Sequence, residues 1–226
     1  MTSLITFMHS LNRMHFLKRL LMTLSGVLVC SFSVGMFKLS AFGVDPFQCF
    51  AQGSHLLVSD QLQYGTYYLG ISLVMLAGVW WWDKHYVGLA TFINMFFTGY
   101  VVDYSYRLLV LWLPEVSLTQ RALLLVAAVV IMCFGSALYY TADLGVSVYD
   151  AISLILAKRR MTLRGTVVPF KWIRVFNDLV CVLLGSAFGK MPGVGTLITA
   201  FFMGPLISFF NHAVAEPLLH GKRARP

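Results

Sequence analysis

Charge is what this sequence has least of. Only 12% of its 226 residues are charged, nine acidic against 17 basic, while 58% are hydrophobic and 15% aromatic. A soluble domain carries about twice that charge, so a mean hydropathy of +0.76 excludes water as the main solvent. Catalytic signatures are missing as well. The six histidines are scattered, and there is no HExxH, no GxSxG elbow and no P-loop. Asp150 and Asp178 are lone carboxylates that do not by themselves make an acid/base pair, and no enzyme is expected. Cys30, Cys49, Cys133 and Cys181 fall in apolar stretches without CxxC or Cys/His ligand spacing. Buried free thiols are expected, with no disulfide framework, metal or cofactor.

What the chain has instead is a succession of apolar runs, at 17–39, 67–82, 86–113, 122–140, 167–188 and 194–214. Crossing about 30 Å of hydrocarbon takes roughly 20 apolar residues, and these runs are apolar all round rather than striped. The expected fold class is all-α, a polytopic membrane helix bundle. The first run is long for a signal peptide and others follow it, so it reads as a retained span. Two shorter segments, 45–59 and 147–158, are too short for a comfortable crossing. Basic residues cluster between the runs: Arg13, Lys18 and Arg19; Lys158, Arg159, Arg160, Arg164 and Lys171; Lys222, Arg223 and Arg225. That is the positive-inside pattern and implies cytoplasmic termini. It offers no sustained patch with interleaved aromatics for nucleic acid.

An internal repeat organises the runs. GLATFINMFFTG at 88–99 matches GVGTLITAFFMG at 193–204, with about half the positions identical. Upstream, SAFGVDPFQCF at 40–50 parallels TADLGVSVYDAI at 141–152, with Gly43 opposite Gly145. The separations of about 105 and 102 residues are collinear. Each unit therefore reads as long helix, Gly-Val turn, short helix, then two long helices. The expected organisation is an N-terminal segment 1–19, repeats at 20–113 and 122–214, a linker 114–121 and a basic tail 215–226. Eight crossing helices would make the repeats parallel, with about 13 Lys/Arg inside and 3 outside; six spans with re-entrant short helices would invert them, with about 12 and 4. Lys84 and Lys190, each preceding the last helix of its unit, suit equivalent environments and favour the eight-helix arrangement.

The Gly-Val-x-x-aromatic turn, followed by Gly-x-x-Thr and Phe-Phe-x-Gly in the last helix, occurs twice and resembles the YczE/YyaS/YitT family of bacterial integral membrane proteins, closest to its YczE branch. The likeness runs from about Arg19 to Asn211. In that family the turn usually reads Gly-Val-x-Pro-Trp-Asp. Here the first copy keeps Pro46 but has Phe47 and Gln48, and the second keeps Asp150 but has Val148 and Tyr149. The resemblance implies a multi-pass, permease-like protein of the bacterial inner membrane.

Ionisable groups inside a span cost about 2.5 to 3.5 kcal/mol each at mid-helix. Arg174, Asn177 and Asp178 lie at i, i+3 and i+4, on one helix face, where Arg174 reaches Asp178. They form either an ion pair that eases insertion or a polar face on an internal path. Asp45 and Asp150 are either helix N-terminal carboxylates or part of a site where broken helices converge. Thr91, Asn94 and Thr196 suit close helix packing through weak hydrogen bonds, or line the same path. The function expected is passage of an unidentified small molecule through the interface between repeats. The alternative is a membrane partner that stabilises another membrane protein, and homo-oligomerisation stays open.

Overall fold

The computed structural model describes residues 2–58, 64–159, 162–163 and 166–220. The basic tail 221–226, Arg160, Arg164 and the end of the short segment at Ser59 lie outside them. The chain is helical almost throughout: α1 (Thr2–Ser40), α2 (Pro46–Leu56), α3 (Tyr64–Trp82), α4 (Leu89–Trp112), α5 (Leu118–Ala142), α6 (Val148–Lys158), α7 (Phe170–Ala187) and α8 (Val194–Phe210). α8 continues through a π-helical turn (Asn211–Ala215) into Glu216–His220. The α6–α7 loop holds a two-residue antiparallel ladder, Thr162–Leu163 with Thr166–Val167.

Among the described residues three helices are long and apolar enough to cross a bilayer, His15–Ser40, Leu118–Ala142 and Val194–His220. This is a helical bundle with the character of a membrane protein. Its outer surface agrees: Trp81 is 91% exposed and Val74, Leu111 and Trp112 are also bare, tolerable where lipid is the solvent. All five tryptophans, Trp80, Trp81, Trp82, Trp112 and Trp172, sit at or near helix ends, the place of an interfacial aromatic belt.

Local signals set the helix starts. Asp45 caps α2, accepting from the Gln48 amide at 3.1 Å, with Pro46 as its first residue. Ser147 caps α6, accepting from the Asp150 amide at 3.2 Å. Ser117 and Gln120 form a capping box that starts α5 after the short linker. The run 86–113 is continuous by composition, yet the structure breaks it at Gly88, between a single 3-10 turn (Lys84–Tyr86) and α4.

α1 packs along α5, and the contacts fix their directions. Arg19 meets Asp143 at 3.8 Å, Gly26 backs onto Gly135 and Tyr139, and Met36 and Phe37 share a core with Leu125 and Val129. As numbering rises along α1 it falls along α5, so the two are antiparallel. This departs from the parallel arrangement expected from the sequence. The physical reason lies in α2, the one short helix between them in the chain: 11 residues at 1.5 Å rise give about 16 Å, half the hydrocarbon thickness.

One end of the bundle gathers Arg19, His85, Asp143 and Leu219, through His85–Asp143 at 2.9 Å and the Lys18 ammonium on the Leu219 carbonyl at 3.3 Å. The other end gathers the Gly43 turn and the loop before α8. α6 stays near the first end, since Val146 donates to the Tyr86 carbonyl at 3.0 Å and Lys158 lies over the Tyr86 ring. α2 stays near the second, where Gly43 abuts Gly193 and Leu56 approaches Gly189.

Candidate functional site: a buried ion cluster between two short helices

Two turns deliver the short helices to the centre, and each is held by a distant helix. In the first, Ala41 has φ +56° and Gly43 φ +123°; in the second, Asp143 has φ +55° and Gly145 φ +95°. Glycine carries the latter angles without the Cβ penalty. The Gly195 amide donates to the Phe42 carbonyl at 2.8 Å, and the Ala90 amide to the Leu144 carbonyl at 2.9 Å. The Thr196 hydroxyl donates to Val44 O at 2.6 Å; the Thr91 hydroxyl donates to Val146 O at 2.7 Å. Each turn is thus clasped by the start of a helix from the opposite half, and both clasps are glycine-tight at Gly193 and Gly88.

These clasps bring the N-terminal ends of α2 and α6 together. Phe47 stacks on Tyr149 with ring centroids 4.9 Å apart and planes 13° from parallel. Beside the stack, Arg174 ion-pairs with Asp150, and its Nε donates to Asp178 at 3.2 Å. The Nη1 that meets Asp150 also donates to the Tyr140 hydroxyl at 3.1 Å. Its Cζ sits 4.7 Å from the Tyr149 ring centroid, a cation–π contact. Asp150 also accepts from the Tyr139 hydroxyl and from Ser147 Oγ at 2.7 Å, while Asp178 accepts from the Tyr149 hydroxyl. Exposures of 0% for Asp178, 4% for Arg174 and 6% for Asp150 make this a desolvated network, in which every partner removed leaves a costly orphan.

Of the residues singled out from the sequence, Asp150, Arg174 and Asp178 meet directly. Asn177 shares α7 with Arg174 and Asp178 but donates to Ser153 Oγ at 2.8 Å. Asp45 caps α2 two residues before Phe47, whose ring stacks on Tyr149 beside the cluster. Thr91 and Thr196 form the clasps rather than the cluster, and Asn94 accepts from the Thr98 hydroxyl at 3.2 Å. The three tyrosines of the cluster, Tyr139, Tyr140 and Tyr149, were not expected, because aromatics in apolar runs read as packing or belt residues. Among the described residues no group of three or more His, Cys, Asp or Glu is arranged to hold a metal ion.

Residues 17–212 match a family described as a family of unknown function, DUF6198. The chain belongs to DUF6198. The match takes in α1 from Leu17 onward and α2 to α8 whole, so the clasps and the cluster both fall within the family's extent. The chain is similar to an uncharacterized protein of Haemophilus influenzae, 22% identical over 182 residues that cover 80% of this chain and 78% of the relative. No solved structure matches it.

Proposed function

We propose that this DUF6198 protein is a permease of the bacterial inner membrane, moving a small molecule past the point where α2 and α6 meet. The observation that carries this reading is the Asp150–Arg174–Asp178 cluster. A charge network kept at bilayer depth is expensive, and helix-broken segments meeting at such a network are the usual architecture of a transporter's binding site. The likeness to YczE/YyaS/YitT proteins belongs to the same reading.

The architecture proposed is an inverted pair of units, α1–α4 and α5–α8, with six spans and α2 and α6 as half-spans. Support comes from the antiparallel α1 and α5, the paired positive-φ positions 102 residues apart, and the reciprocal threonine clasps. The end that carries Lys18, Arg19, Lys84, Lys158, Arg159 and Lys171 would be cytoplasmic, against Lys38, Arg107, Arg121 and Lys190 at the other.

Proteoliposomes loaded with a broad metabolite panel test this. Flux in the wild type, lost in Asp178→Asn and Asp150→Asn, is the expected result; no flux of any compound would overturn it. A second reading, a membrane partner that assembles another membrane protein, draws support from the buried, densely hydrogen-bonded cluster and the glycine-tight clasps. It requires a stoichiometric complex that survives mild detergent and tolerates Asp178→Asn.

A further inference from the structure

Arg174 is held the way a bound ligand would be. Its flat guanidinium lies on the Tyr149 ring, which is itself backed by Phe47, and its edge is met by two carboxylates and the Tyr140 hydroxyl. An aromatic face with carboxylates at its rim is the chemistry that recognises organic cations.

The cluster is also short of positive charge. Asp150 and Asp178 meet Arg174, and Asp45 stands at the start of α2, two residues before the Phe47 ring on Tyr149, so three carboxyl groups gather near one cation. The N-termini of α2 and α6 add about half a positive charge each. With all three carboxyl groups ionised, that leaves an excess of about one negative charge, which a further cation would offset. A cavity of ≈ 350 Å³, lined in part by Gly43, Val44, Cys49, Lys190 and Thr196, opens at the Gly43 turn. Val44 precedes Asp45 in the chain, so this cavity opens one residue from the cap of α2. Its size is at the lower end for small-molecule sites, and Lys190 at its wall repels cargo of multiple positive charge most.

Resting on the transport reading above, we infer that the cargo is a small monovalent organic cation, with a guanidinium or ammonium head. It would enter through the Gly43 cavity and compete with Arg174 for the Asp150 and Asp178 carboxylates, with Asp45 supplying the charge that receives it.

The test is equilibrium binding to the full chain in lipid nanodiscs, which needs no flux. The probes are methylguanidinium, tetramethylammonium, sodium and benzoate, read by thermal shift and calorimetry. Saturable binding of either organic cation is expected, weakened about tenfold or more in Asp45→Asn. Asn caps a helix as well as Asp does, so that variant keeps the start of α2. Phe47→Leu, which removes the backing ring, should weaken the same probes while leaving sodium unaffected. Binding of benzoate or sodium alone, no binding of any probe, or cation binding unchanged in Asp45→Asn would each overturn the inference. Cation binding without flux would sink transport but leave the site. Flux of an anionic or neutral solute without cation binding would do the reverse.

Discussion

Residues 41–56 and 143–158 follow one backbone plan and carry two chemistries. Both turns place positive φ at their first and third residues, both cap an 11-residue helix, and both give a valine carbonyl to a threonine from the opposite half. On that shared frame Asp45 stands where Ser147 stands, Phe47 where Tyr149 does, and Gln48 where Asp150 does. Counting back from Lys84 and Lys190, Tyr68 and Ser72 fall opposite Arg174 and Asp178. The clasp, made of backbone and hydroxyl groups, occurs in both halves because any side chain at the cluster can use it. The ion pairs are made in the second half alone, and the first half contributes the Phe47 ring and the Asp45 carboxyl that caps α2. Architecture and charge are thus separable, and each can be broken without the other.

Breaking the charge should have the largest effect. Arg174→Leu would leave Asp150 and Asp178 buried without a cation, a loss of about 3–5 kcal/mol for a buried pair stripped of one partner. The expected result is a large drop in the yield of monodisperse protein and in its melting temperature. A variant as stable as wild type would mean that water reaches the cluster.

Breaking the frame should cost less and cost both halves alike. A Cβ at Gly193 would overlap the Phe42 carbonyl, and one at Gly88 the Leu144 carbonyl, whereas at Gly99 it meets nothing within 4 Å. Gly193→Ala and Gly88→Ala should each lose about 1–3 kcal/mol, the usual cost of overpacking. Gly99→Ala, inside α4, should be neutral or gain up to about 1 kcal/mol. Thermal unfolding in detergent of the three variants side by side checks this. Unequal losses at Gly88 and Gly193 would mean that the two clasps carry different loads.

The frame was readable in the sequence and the cluster only in part, for reasons tied to particular residues. The GxxT and Gly-Val matches mark both clasps because tight backbone approach tolerates only glycine and small hydroxyl residues. The i, i+4 spacing marks Arg174 and Asp178 because one helix suffices to bring them together. Asp150 could be named but not joined to Arg174, since that contact spans 24 positions and depends on the angle at which α6 enters. Tyr139, Tyr140 and Tyr149 looked like filling among many aromatics. The relative direction of the halves escaped because loop charges of about 12 and 4 against 13 and 3 scarcely differ, and composition does not say how α1 will lie against α5.

The outer ends of the short helices give the smallest and most local contrast. α6 ends on an ion pair, Lys158 to Asp83 at 2.8 Å, whereas α2 ends on Leu56 beside Gly189. A hydrogen bond from Lys158, followed by one from the His85 amide, holds the Asp83 carboxyl below its usual range. A depressed carboxylate stabilises the folded state above its unfolded pKa of about 3.9, and that contribution fades as pH falls through the lower folded value. Acidification from pH 5 towards pH 3 should therefore loosen the end of α6 and leave the end of α2 unchanged, as read by amide hydrogen exchange at 155–159 and 54–58. Asp83→Asn should give the loosened exchange at pH 5 already and shift the melting temperature little, because the pair is exposed and screened. Equal acid sensitivity at both helix ends would mean that protonation acts through the buried cluster the two helices share, and not through this surface pair.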